Sequence, residues 1–312
     1  MAPTDDHAAA FSKDVIQALD NLNGLHPGFR PAHAKGILLS GTFTPSPNAV
    51  SLTRAPHAQR ASTPVTVRFS DFAGVPTVAD NDPANASPRG MAIRFHLAEH
   101  VHTDIIGHSV DGFPVRTAEE FLEFLRAVGG SGPGVPHPTP IEAFLSTHPK
   151  ALQFVQTPKP IPSSFAAESF FSVTAYKFIN KVGTSHFGRY RIRPASGGQC
   201  LDDAEAAAKG ANFLFEEIGA RVVKGPVNFH ILVQVAEAGD TVDDATVQWP
   251  ERRAQVEFGT IALTGLVPDD AGQQRHIIFD PLPRVDGIES SGDPLLEPRA
   301  SVYLMSGRRR RG

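Results

Sequence analysis

Eight short segments with the composition of β-strands recur along the chain, in two groups of four. They are residues 36–46, 64–72, 90–97, 103–110, 169–180, 186–194, 228–236 and 256–265. In PVTVRFSDF (64–72), apolar and polar residues alternate, which predicts one buried and one polar face. The segments 169–180 and 186–194 flank Val182-Gly183-Thr184 and predict a hairpin. Eight strands are enough to close an antiparallel barrel, which removes exposed sheet edges.

Helical patterns lie before, between and after these strands. Thr117 and Glu120 fit a capping box that opens a helix, and a further apolar run extends over 141–154. A third helix is expected to start at Asp202 or Asp203, and an N-terminal helix to carry Phe11 through Leu22. The Gly- and Pro-rich stretch 129–140 predicts a loop. We therefore expect one α+β domain over residues 1–312, a closed eight-stranded antiparallel β-barrel with peripheral helices.

The composition limits the classes of function. A net charge of -4 and a pI near 6.3 argue against a nucleic-acid binder. No window approaches the ~18 apolar residues of a membrane span, and the N-terminal segment lacks the pattern of a secretory signal. These features predict a cytoplasmic protein with no membrane span. The chain has 21 Phe but three Tyr and one Trp, which favours a dry interior or an apolar pocket.

Three places combine polar side chains with apolar surroundings. His33 lies in FRPAHAKG (29–36), His108 ends a predicted strand, and Arg299 and Tyr303 stand four residues apart near the C-terminus. On a helix this last pair shares one face, and a guanidinium beside a phenol favours the ionised phenolate. Phenolate is a known axial ligand of haem iron. Taken alone, each place is more often structural than functional. The arginine run 308–311 fits a solvated tail or, beside Tyr303, groups that bind the carboxylates of a cofactor.

Five motifs follow one another through nearly the whole chain. They are RPAHAKG (30–36), VRFS (67–70), PRGMAIRF (88–95), FPVR (113–116) followed by Phe121, and VDGIESS (285–291) followed by Arg299 and Tyr303. In this order the motifs resemble those of the haem catalases, and more closely those of their short relatives, the catalase-related peroxidases. The order makes the resemblance far more specific than any single motif.

The resemblance implies a barrel of catalase type with haem b (iron) buried against it. Tyr303 would be the axial iron ligand, with Arg299 as its charge partner. His33 would be the distal acid–base, supported by Ser70. The remaining residues implied for cofactor binding are Arg30, Arg68 and Arg310 at the propionates, with Arg308 adjacent, and Phe121 beside the ring. Because the chain ends just after the segment with Tyr303, it would be a minimal core, and no NADPH is expected.

Two positions differ from the catalase pattern. His108 stands where catalases place an asparagine that donates a hydrogen bond to bound peroxide. A neutral imidazole also donates one bond, but it is bulkier and its charge can change near neutral pH. Ala32 stands where catalases carry a larger residue, which leaves more room above the iron. Both changes disfavour dismutation of hydrogen peroxide, which needs a second peroxide held in a tight geometry.

We therefore expect a haem peroxidase that reduces organic, including fatty-acid, hydroperoxides with a small reductant. His33 and His108 with Ser70 are its predicted catalytic residues. Three alternatives stay open: an isomerase of fatty-acid hydroperoxides resembling the allene oxide synthases, a hydrogen peroxide-dismutating catalase, and a haem or lipid carrier barrel that is not an enzyme. A monomer or a homodimer is expected.

Overall fold

The computed structural model describes residues 3–312, and over this range ten strands form one sheet. The strands are β1 Gly36–Pro45, β2 Thr63–Ser70, β3 Gly90–Ala98, β4 Val101–His108, β5 Phe170–Phe171, β6 Tyr176–Ile179, β7 Ser185–Pro194, β8 Val227–Val235, β9 Gln255–Leu266 and β10 Ile288–Ser290. The helices are α1 Pro3–Asn23, α2 Ala49–Leu52, α3 Pro56–Gln59, α4 Ala118–Gly129, α5 Pro140–Thr147, α6 Pro149–Gln156, α7 Asp203–Ala207, α8 Phe213–Lys224, α9 Asp270–His276 and α10 Leu296–Arg311.

Eight of the strands close into an antiparallel barrel. The order around it is β7-β5-β4-β3-β2-β1-β9-β8, and β8 pairs again with β7. β6 pairs with β7, and β10 pairs with β6, so both extend the sheet outside the closed ring. The predicted α+β fold with a closed eight-stranded barrel is confirmed.

The barrel interior is apolar and rich in phenylalanine. In β2, Val65, Val67 and Phe69 join the main core, whereas Arg68 and Ser70 alternate with them and lie on the outer face. The Phe69 ring stacks on Phe165 with centroids 5.1 Å apart. The phenylalanine-rich apolar core that the composition predicts is therefore the interior of the barrel.

Three predicted elements are each divided in two. Segment 169–180 forms β5 and β6, because β5 pairs with β4 and β7 whereas β6 pairs with β10 and with a different stretch of β7. The helix expected over 141–154 becomes α5 and α6, since Pro149 cannot continue a helix but can start one. The third helix is divided around Gly210 into α7, which Asp202 caps, and α8. The capping box of Thr117 and Glu120 is present as predicted.

Helices α4 and α10 both pack against α1. A small apolar cluster of α1 and α4 includes Val15, Leu19 and Leu122, and both Ala32 and Val302 pack against it. The cluster thus joins the loop before β1 to α10. Of the helices described, none has the length and apolar character needed to cross a lipid bilayer.

Candidate active site

A row of residues across the barrel positions His33. Ser70 is opposite Gly36 of β1 and Gly90 of β3, and Gly90 is opposite His108 of β4. Residues paired in this way point to the same face of a sheet. His33 Nδ1 lies 3.1 Å from Ser70 Oγ. A Cβ at Gly90 would come within 2.6 Å of Ser70 Oγ and 3.0 Å of His33 Nδ1, so glycine is required for this contact.

The backbone of His33 is held in an uncommon conformation. Its φ of 55° is in the left-handed region, which non-glycine residues rarely adopt without support. That support comes from its N–H, which donates to the carbonyl of Phe72 at 2.7 Å. The Phe72 ring also meets the imidazole edge-on with centroids 5.5 Å apart. Strain of this kind concentrates at functional sites.

The His33 imidazole is uncharged at neutral pH. Most of the ring is surrounded by protein, and this burial lowers its pKa to about 3, with further lowering by the positive charge of Arg68 and by His108. A neutral imidazole keeps one nitrogen as a donor and one as an acceptor. His33 can therefore accept a proton from a substrate while its other nitrogen contacts Ser70.

His108 is a hydrogen-bond donor rather than a titrating group. The N–H of Val110 donates to His108 Nδ1 at 3.3 Å, which assigns the ring proton to Nε2. Burial, assisted by the charge of Arg299, lowers the His108 pKa to about 3. With its pKa lowered in this way, the His108 ring is not expected to change charge near neutral pH.

Arg299 and Tyr303 meet on α10 as their spacing predicts. Arg299 Nε donates to the Tyr303 phenol oxygen at 3.1 Å, and its guanidinium lies 5.3 Å from the ring centroid. Burial acts to lower the pKa of Arg299, but the adjoining Tyr303 and Tyr176 phenols outweigh burial and raise it. Arg299 also lowers the pKa of both His33 and His108, so these groups share one electrostatic environment.

Three arginines converge beside this group. Arg30 and Arg310 each donate from Nη2 to the carbonyl of Ile277, at 3.1 and 2.9 Å. Arg68 donates to the carbonyls of His33 and Ala34 and, from Nε, to Gln274. Burial lowers the pKa of Arg68 to about 9, and Arg310 lowers it further. Burial likewise lowers the pKa of Arg30, with added lowering from Arg68 and Arg310.

The other two predicted cofactor residues differ in their placement. Phe121 lies 5.3 Å from Phe113, whose ring is 6.5 Å from His108, so an aromatic row leads from α4 to the site. Arg308 is exposed. At 100° per residue it lies about 140° around α10 from Tyr303, whereas Arg310 lies within about 20° of it. The structure therefore places Arg310, and not Arg308, on the side of α10 that carries Tyr303.

These residues fit an iron porphyrin. Burying three mutually repelling guanidiniums is unfavourable unless anions meet them, and paired carboxylates would relieve the repulsion. Arg310 Nε is buried without a hydrogen-bond partner, so it has a donor left for such an anion. The Tyr303 phenol oxygen would be a suitable donor to ferric iron, since tyrosinate is a known ligand of haem iron.

Sequence reasoning missed several contributors. Gln274 and the Ile277 carbonyl orient the arginines, yet α9 carries no motif that distinguishes it. Phe72 supports His33 by backbone and ring, and nothing in the local pattern indicates this. Gly90 is inside the PRGMAIRF motif, and its register opposite Ser70 is the signal that would have identified it.

The chain is similar in sequence to several known proteins. The chain is 34% identical over 305 residues to a catalase-related peroxidase from Mycolicibacterium paratuberculosis (strain ATCC BAA-968 / K-10), which covers 96% of this chain and 94% of that protein. It is 32% identical to a catalase-related peroxidase from Synechococcus elongatus (strain ATCC 33912 / PCC 7942 / FACHB-805), over 96% of this chain and 88% of the relative. Catalase-1 from Arabidopsis thaliana is 29% identical over 96% of this chain and 63% of its own length.

Solved structures share the fold. A bacterial catalase superposes with a TM-score of 0.80 at 23% identity, covering 95% of this chain and 60% of that one. A fungal catalase gives a TM-score of 0.79 at 22% identity, covering 90% and 59%. The family model described as Catalase matches residues 16–312, so the chain belongs to the catalase family.

Proposed function

We propose that the chain is a haem peroxidase that reduces organic hydroperoxides, fatty-acid hydroperoxides among them. Family membership and the likeness to catalase-related peroxidases support a haem-dependent oxidoreductase. The observation that carries the proposal is the contact between Arg299 and Tyr303, because a guanidinium beside a phenol would stabilise the phenolate that can bind ferric haem iron.

The haem would be held by residues of four elements. Tyr303 of α10 would be the iron ligand, and Arg299 would stabilise its negative charge. Arg30, Arg68 and Arg310 would bind the propionates through charge-assisted hydrogen bonds. Phe121 would pack beside the ring. When bound, the iron porphyrin supplies the electron chemistry that cleaves the oxygen–oxygen bond.

His33 moves the proton in this scheme. With Nδ1–H donated to Ser70 Oγ, the lone pair of Nε2 is available to the hydroperoxide O–H. His33 takes that proton and returns it to the oxygen attached to carbon, which then leaves as an alcohol rather than an alkoxide. The complete reaction converts one hydroperoxide, two electrons and two protons into one alcohol and one water.

His108 and Ala32 determine which peroxide is accepted. The Nε2–H of His108 donates a hydrogen bond without exchanging its proton, because the ring stays neutral. The side chain of Ala32 packs against the α1 and α4 cluster, and its small size would leave more room for a substrate above the iron than a larger residue would. A bulky organic peroxide is therefore favoured over two molecules of hydrogen peroxide.

One experiment tests this function against its alternatives. Purified protein loaded with hemin is mixed with cumene hydroperoxide or a fatty-acid hydroperoxide, with and without guaiacol, while absorption and oxygen are recorded. We expect a haem spectrum, alcohol formation and matching oxidation of guaiacol. Product formed without guaiacol consumption would indicate an isomerase, and oxygen release from hydrogen peroxide a catalase. Bound haem without turnover would indicate a carrier.

A further inference from the structure

The ends of α9 and α10 carry exposed arginines that the proposed active site does not use. We refer to Arg275, Arg308 and Arg311 as the arginine rim, and all three are exposed. Among residues 7–312, whose side chains the structure describes, none of them forms an ion pair with a carboxylate, whereas Arg309 between them is paired with Asp20. The rim is therefore a group of positive charges without an internal counter-charge.

The rim adjoins the buried arginines of the candidate site. Arg311 Nη2 donates to the carbonyl of His276, and the next carbonyl, that of Ile277, accepts from both Arg30 and Arg310. Exposed and buried guanidiniums thus surround the same C-terminal end of α9. Arg275 lies against the loop that carries Arg30, since a Cβ at Gly28 would be 3.5 Å from Arg275 Nε.

The positive charges of this region outnumber the two negative charges that haem propionates would bring. Burial lowers the pKa of Arg310 to about 10, and the charges of Arg311 and Arg309 add to the lowering. Two propionates would offset the buried guanidiniums and leave those of the rim free. Exposed guanidiniums bind carboxylate-like oxygens in paired hydrogen bonds, which lysine could not do in the same geometry.

We propose that the arginine rim binds the electron donor of the peroxidase reaction, and that this donor is a small organic anion. The inference rests on the proposed function. Charges grouped around one helix end suit a molecule that presents one or two anionic oxygens. The monoanion of an enediol acid gives up two electrons and one proton, and with a second proton from solvent these convert the hydroperoxide into alcohol and water. The anion would be drawn to the rim by charge.

The test compares two arginine variants in the hemin-loaded enzyme. The double variant R275Q/R311Q removes two rim charges. The control R252Q removes an exposed, unpaired arginine in the loop before β9, at the opposite end of that strand from α9. Equilibrium dialysis without peroxide measures ascorbate binding, and steady-state turnover gives KM for ascorbate and for the neutral donor guaiacol.

We expect the double variant to weaken ascorbate binding and raise the ascorbate KM about tenfold, with guaiacol KM changed less than about twofold. R252Q should behave as the parent enzyme, and added salt should raise the ascorbate KM of both of them far more than that of the double variant. Unchanged ascorbate binding in R275Q/R311Q, or equal losses for both donors, would overturn the rim as an anion site. If the parent enzyme oxidises neither donor, the proposed peroxidase function fails, and the role of the rim in donor binding fails with it. Equilibrium dialysis would still show whether the rim binds the ascorbate anion.

Discussion

The side chains of Arg299 and Tyr303 form one unit on α10, in which Arg299 Nε donates to the phenol oxygen at 3.1 Å. The two residues are one helical turn apart, so the backbone fixes their approach. A hydrogen bond from a charged donor is about twice as strong as one between neutral groups. Arg299 would therefore stabilise a negative charge on the phenol oxygen once Tyr303 bound iron.

Replacing Tyr303 with Phe should remove the axial donor. We expect the purified variant to lose added hemin on gel filtration or to show a shifted Soret band. Tyr190→Phe is the matched control, since Tyr190 is buried in the barrel core beside Phe178 and Phe258. An unchanged spectrum and full hemin retention in Tyr303→Phe would exclude this residue as ligand.

His33→Ala should slow hydroperoxide cleavage by ~10² or more, as measured by stopped-flow absorption. Because burial holds the His33 pKa near 3, the parent rate should be flat between about pH 5 and pH 8. An inflection near pH 6.5, the ordinary range of histidine, would show that the ring titrates normally and contradict the enclosed site. Full activity in His33→Ala would remove this residue from the mechanism.

Gly90→Ala tests the alignment of His33 with Ser70 without changing either. The added Cβ would enter the space of Ser70 Oγ, so the serine or the imidazole must move. We expect about a tenfold loss of the cleavage rate with hemin binding retained. Gly219→Ala in α8 is the control, because its Cβ would meet no atom closer than 4.0 Å. Equal rates in both variants would mean that the contact with Ser70 is dispensable.

Local signals predicted the elements and the residues that depend on near neighbours in sequence. Thr117 and Glu120 form their capping box, and the spacing of Arg299 and Tyr303 predicts their contact. The alternation in β2 likewise separates the core face from Ser70 and Arg68. In each case the interaction spans three or four residues or follows the strand period.

Features that depend on distant partners could not be predicted in this way. Segment 169–180 divides because its first half pairs with β4 and its second half with β10, while two separate stretches of β7 pair with both. Arg30 and Arg310 share the Ile277 carbonyl across about the whole length of the chain. The neutral state of His108 follows from burial by several elements, and no residue near it in sequence indicates this.

Arg310 and Arg308 offer a direct comparison of a buried and an exposed arginine on one helix. Arg310→Gln should weaken hemin binding about tenfold or more, because a charge-assisted pair in a buried setting is lost. Arg308→Gln should leave it unchanged, since Arg308 is exposed on another side of α10. Hemin titration followed by absorption measures both. Equal weakening in the two variants would restore Arg308 to the cofactor site.

His57 should make the protein sensitive to acid. Its side chain is 1% exposed, its Nδ1 has no hydrogen-bond partner, and its ring packs against Phe43, Phe95 and Phe258. Burial lowers the His57 pKa to about 3, and Arg60 adds to this. The unfolded chain binds the proton near pH 6.5, so the unfolded state holds more protons between these values. Stability is therefore lost as the pH falls from about 6.5 towards 3.

His57→Phe removes one of the groups responsible for this loss. Between pH 4 and pH 6 the slope of the unfolding free energy against pH should fall by about one proton, or ~1.4 kcal/mol per pH unit. Denaturant titrations at several pH values measure this slope. A change in packing caused by the larger ring shifts the unfolding free energy equally at every pH and so leaves the slope unchanged. His186→Phe, at an exposed position of β7, should leave the slope as it is. If His57→Phe retains the parent slope, the buried ring is already protonated in the native state and the neutral core histidine is refuted.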